Sequence, residues 1–158
     1  MHAAPVYRFC LSQVRDPVEA EDVAAEVFAS GFAAYERTPL AATDVRPWLL
    51  RIARNEIIDR ARRRQRRSQL LERFFGRRSE VDPSADVESA VITGDELRRA
   101  IAVIKRLPDR DRVLVGLRLA ADLPYSDIAE VMGMTEHAAT VATHRAVKRL
   151  RDQLRRQP

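Results

Sequence analysis

Apolar positions recur at three- and four-residue steps along nearly the whole chain, and no stretch alternates as a half-buried strand would. The pattern predicts an all-α protein. Val6, Phe9, Cys10 and Val14 line one side of a first helix over residues 5–14. Asp16-Pro17-Val18-Glu19 is a start signal: Asp as cap, Pro at the first helical position, Glu three residues after the cap. The helix it opens runs towards Tyr35, with Val23, Val27, Phe28 and Phe32 as its inner face. Thr38-Pro39 and Thr43-Asp44 mark a loop over residues 37–45, and Asp44 is expected to cap a third helix starting near Val45. Pro47 is tolerated there because it falls in the first turn. That helix carries two stripes. Leu49, Ile52, Ala53, Ile57 and Ala61 face a core, and Arg51, Asn55, Asp59, Arg62 and Arg66 recur on the opposite side.

The periodicity lapses over residues 73–94, where Gly76, Pro83 and their polar neighbours read as a linker. Helical spacing resumes at Asp95–Leu107, and Pro108-Asp109 starts another helix reaching Ala121. Ile128, Ala129 and Met132 give the next short helix an apolar face. Gly133 suits the left-handed conformation that ends it, and Thr135 caps a last helix whose first turn holds Glu136. Ala139, Ala146, Val147, Leu150 and Leu154 are the inner side of that helix. A short helix, a tight turn and a second helix make the layout of a helix-turn-helix, whose second helix lies in a DNA major groove. A plain antiparallel helix hairpin carries the same pattern. The expected architecture is two small helical domains: an N-terminal bundle over 1–72, a linker over 73–94, and a four-helix domain with the helix-turn-helix over 95–158.

Charge sharpens this picture. Lys and Arg number 28 against 23 Asp and Glu, a net +5 that favours a polyanionic partner. All the cations but Lys105 and Lys148 are arginines, and six of them fall within Arg60–Arg67. A block that dense repels itself and calls for an anion. No apolar run approaches membrane-spanning length, and the first residues lack the basic and apolar parts of a secretory signal, so a cytoplasmic location is expected. Cys10 is a lone cysteine in an apolar stretch and reads as a buried thiol. His2, His137 and His144 show no metal-ligand spacing. His137 and His144 lie two helical turns, about 10 Å, apart. Asp82 and Asp86 sit in the linker-like segment. Neither an enzyme, a metal nor a cofactor is expected.

Glu19-Ala20-Glu21-Asp22-Val23-Ala24-Ala25-Glu26-Val27-Phe28, followed by Trp48-Leu49-Leu50-Arg51-Ile52-Ala53-Arg54-Asn55, resembles the promoter-melting module of bacterial extracytoplasmic-function sigma factors. Leu107-Pro108-Asp109-Arg110-Asp111, followed by Tyr125-Ser126-Asp127-Ile128-Ala129-Glu130, is similar to their second, upstream-element module. The motifs stand in the family's order and span nearly the whole chain. The resemblance implies a transcription initiation factor that binds the core of bacterial RNA polymerase and holds two promoter elements.

Residue by residue, the resemblance gives Glu21, Asp22 and Glu26 the contact with the core polymerase. It gives the loop over 37–45, Arg51 and Asn55 the melted minus-ten strand, with at least one flipped base held in a pocket. Arg60, Arg62, Arg63, Arg64, Arg66 and Arg67 would hold phosphates, and Trp48 is read as a core residue rather than a stacking platform. Thr135, Glu136, His137, Thr140, Val141 and His144 would face the minus-thirty-five groove, with Arg145, Lys148 and Arg149 near phosphates. The resemblance also implies a further partner, an anti-sigma factor, with no membrane insertion by the chain itself. The chain departs from the family in three places. Ala25 replaces the usual Gln, and Thr140, Val141 and Ala142 replace the usual Lys, Ser and Arg, so the helix is expected to read weakly or to read an unusual sequence. Only six residues precede Tyr7, so a short first helix is expected. The alternative reading is a stand-alone helix-turn-helix regulator that does not bind polymerase.

Overall fold

In the computed structural model, residues 2–14, 16–41, 43–76 and 95–156 are described. They form α1 (Ala3–Gln13), α2 (Pro17–Arg37), α3 (Val45–Phe75), α4 (Asp95–Lys105), α5 (Asp109–Val115), a π-helical turn at Gly116–Ala120, α6 (Tyr125–Met132) and α7 (Glu136–Arg155). There is no strand among the described residues, so the all-α expectation holds. Asp82, Asp86 and most of the expected linker lie outside the described residues.

Local chemistry sets the helix ends. Asp16 accepts a hydrogen bond from the Glu19 backbone N–H at 2.8 Å, with Pro17 following, which satisfies a donor that the helix itself cannot. Gly133 closes α6 at φ +64°, and Thr135 Oγ1 accepts from the Ala138 N–H at 3.2 Å to open α7. Asp44 departs from expectation. Its carboxylate takes the Thr43 hydroxyl at 3.1 Å and makes no cap bond to α3. Between Pro47 and Gly76 α3 meets no proline or glycine and is rich in good helix formers, so it runs on to Phe75.

The two helical modules do not hang apart. Val6 and Phe9 of α1, Val23 and Val27 of α2 and Leu50 of α3 share one apolar interior with Val103, Leu114, Leu117, Ile128 and Leu150. Helix α1 is the hinge of this arrangement, packing on α2 and α3 and also on α4 and the π-turn. The approach is closest at Gly116, where a Cβ would fall 2.6 Å from Ser12 Oγ and 2.5 Å from Gln13 Nε2. The side chains of Ser12 and Gln13, buried at this seam, are paired. Ser12 Oγ donates to the Phe9 carbonyl at 2.7 Å, and Gln13 Nε2 donates to the Arg112 carbonyl at 3.0 Å. Arg8 Nε donates to the Ala120 carbonyl at 2.8 Å. Cys10 is buried, as expected, and burial pushes its thiol up to about 12.

Candidate functional site

Helix α3 positions most of the expected nucleic-acid contacts, because its straight run fixes which of them share a face. Arg51, Asn55, Arg62 and Arg66 are exposed on the side turned away from α2. Three other arginines are engaged internally. Arg60 Nη2 lies 2.8 Å from the Glu26 carboxylate, and Arg60 Nε donates to Glu56 at 3.1 Å. Arg63 reaches the same Glu56 at 3.1 Å, and Arg64 reaches Glu19 at 2.6 Å. The Arg60 hydrogen bond holds the Glu26 carboxyl below the ordinary carboxylate range. Arg67 is exposed. Glu21 and Asp22 are exposed on α2 beside Glu26. One expected strand contact therefore anchors one expected polymerase contact, through Arg60 and Glu26. Arg51 also lies 3.7 Å from Glu130 of α6, an ion pair across the two modules.

An aromatic cavity that spacing alone misassigned lies between α2 and the first turns of α3. Phe28, Phe32 and Tyr35 of α2, Leu40 of the loop, and Val45 and Trp48 of α3 surround about 510 Å³. Phe32, expected inside, is 67% exposed at its mouth. Gly31 eases this approach: a Cβ there would fall 2.8 Å from the Leu49 Cδ2 methyl, so a larger residue would need that side chain to shift. Helix α2 then carries Phe28, Phe32 and Tyr35 out over the loop. Trp48 is half-buried, packs against the core as expected, and also lines the cavity. The signal for this cavity was present as aromatics at positions 28, 32 and 35, which read equally as an inner face.

In the second module Glu136, His137, His144, Arg145 and Lys148 are exposed along α7, and Thr135 is exposed at its cap. Thr140 and Val141 are half-buried, and the Thr140 hydroxyl donates to the Glu136 carbonyl at 2.9 Å. The His144 ring lies 5.6 Å from the Tyr125 ring, and the Arg118 guanidinium stands 5.3 Å over Tyr125. Arg149 is ion-paired with the buried Asp111, tying α7 to α5. Among the described residues, no helix is long and apolar enough to cross a membrane.

Known proteins match the chain in two blocks that correspond to its two helical modules. Residues 1–67 match sigma-70 region 2 and residues 97–150 match sigma-70 region 4, together most of the chain. The chain belongs to the sigma-70 family. It is an RNA polymerase sigma factor of the extracytoplasmic-function class. This sigma factor is similar to the ECF RNA polymerase sigma factor SigM of Bacillus subtilis, with 28% identity over 158 residues, 96% of this chain and 89% of that one. SigD of Mycobacterium tuberculosis is 29% identical over 153 residues, covering 94% and 71%. SigK of Mycobacterium ulcerans is 29% identical over 157 residues, covering 95% and 76%. The fold of the sigma factor is similar to that of RpoE from Bartonella quintana, solved in complex with the anti-sigma factor NepR. The TM-score is 0.75 at 22% identity, over 99% of this chain and 94% of that one.

Proposed function

We propose that the sigma factor directs core polymerase to promoters through three of its own surfaces. Glu21, Asp22 and Glu26 meet basic residues of the core. The loop over 37–45, the aromatic cavity and the outward stripe Arg51–Asn55–Arg62–Arg66 take the melted minus-ten strand. Helix α7 enters the minus-thirty-five groove, with His137 and His144 offering donors to base edges and Arg145 and Lys148 on phosphates. The observation that carries this reading is the aromatic-lined cavity of about 510 Å³ opening beside Asn55's helix, with faces for stacking and ample room for an unstacked base. Catalysis belongs to the polymerase, and the sigma factor works in the cytoplasm where promoters are. An anti-sigma factor is its expected partner, as NepR is the partner of RpoE in their complex.

The test is a footprint of the holoenzyme reconstituted from the full chain and bacterial core. Permanganate reactivity of unpaired thymines should appear over the minus-ten element. Asn55→Ala should change which promoter sequences melt. A variant that lowered melting equally on every sequence would place Asn55 outside the reader.

A further inference from the structure

Helix α3 ends in an apolar tip that no described residue covers. Leu70 is 51% exposed, Leu71 49%, Phe74 78% and Phe75 76%, and every described side chain from Ala61 to Gly76 is open to solvent. Four large apolar groups on two turns exceed the scattered exposures of an ordinary surface. Their place on the helix is informative. Leu49, Ala53, Glu56, Arg60, Arg64, Arg67, Leu71 and Phe74 follow one another at three- and four-residue steps, so they form a single stripe.

This stripe is the face that α3 turns to α2. It begins apolar and buried at Leu49 and Ala53. It becomes basic where Arg60 meets Glu26 and Arg64 meets Glu19. It turns apolar again beyond α2, which starts at Pro17, only two residues before Glu19. Leu71 lies seven residues past Arg64, about 10 Å further along the axis. At the end of α2, Val18 is itself 68% exposed. Glu19, Asp22 and Glu26 follow one stripe of α2, so the acidic face and the apolar tip flank the same seam.

We infer that the α3 tip, with Val18 at the end of α2, seats in an apolar groove of the RNA polymerase core edged by acidic side chains. This rests on the reading of Glu21, Asp22 and Glu26 as the polymerase contact. One large body lying along the α2–α3 seam covers both surfaces, and apolar anchors one helical turn apart are how a helix enters a groove. Duplex DNA accepts the arginines but has no place for two phenylalanines. A second copy of the chain brings two arginine-rich helix ends together.

The experiment places an environment-sensitive dye on the sulfur introduced by Phe74→Cys in the full chain. Labelling is selective because Cys10 is buried and its thiol is pushed up. The dye should report water in the free chain and shift to the blue in a saturable titration with core polymerase. In parallel, Phe74→Ser with Phe75→Ser should weaken binding to core at least about ten-fold, with an unchanged melting temperature. Leu70→Ser with Leu71→Ser should act in the same direction. A dye already blue in the free chain would overturn the inference. Concentration dependence would then assign the cover to a second copy, and its absence to the chain's own residues. A shift with phosphatidylglycerol vesicles or duplex DNA but not with core would also overturn it. So would wild-type affinity for core in both serine variants. Failure of the unsubstituted chain to bind core would instead remove the sigma-factor reading beneath it.

Discussion

Thr143 fits its surroundings less well than any other residue of the last helix. It is fully buried, and its hydroxyl has no hydrogen-bond partner. A buried unpaired hydroxyl carries a desolvation cost with no return, so Thr143→Val should stabilise the chain by about 1 kcal/mol. Calorimetry should show the melting temperature rise by about 2–4 °C. A fall would mean that the hydroxyl is paired in solution. Thr143 also marks how far single residues can be read. Its spacing from Ala139 and Ala146 puts it on the inner side, yet only coordinates show the hydroxyl alone there. The same limit applies to Arg149. Its charge is plain from sequence, but its hold on Asp111 depends on residues 38 apart in the chain being brought together by packing.

At the scale of elements, helix ends were the most legible feature because caps are local chemistry. Asp16, Gly133 and Thr135 each terminate or open a helix as their residue types require. Gly133 should be hard to replace. At φ +64° a Cβ meets the backbone although open space surrounds it, so Gly133→Ala should cost about 1–2 kcal/mol, measured by urea unfolding. An unchanged midpoint would mean that the turn takes another conformation. The parts that were not legible depend on neighbours. Phe32 reads as core by spacing, but it lies 67% exposed at the mouth of the cavity between α2 and α3. The π-turn at Gly116–Ala120 has no sequence signal of its own. Helix α3 carries apolar residues at its end that look like a core stripe, and they have none of the molecule's described core to meet.

For the whole molecule, the seam between the modules was hidden from sequence because Ser12 and Gln13 look like the wet side of α1. The closed arrangement has a consequence for function. The longest element, α3, spans about 46 Å over its 31 residues. The two promoter elements lie about 25 base steps apart, or about 80 Å. The Arg51–Glu130 pair and the Gly116 contact must therefore open before one chain holds both elements. Gly116→Leu should drive α1 off the π-turn and enlarge the radius of gyration in X-ray scattering by several ångströms over that of the unsubstituted chain. No expansion would mean that Ser12 and Gln13 yield locally and the seam survives.

The most direct measurement is run-off transcription with the purified chain, bacterial core polymerase and a library of genomic fragments. The account predicts discrete transcripts that start downstream of paired minus-ten and minus-thirty-five elements and vanish without the chain. A chain that bound DNA by itself, formed no complex with core and yielded no promoter-dependent transcript would contradict it.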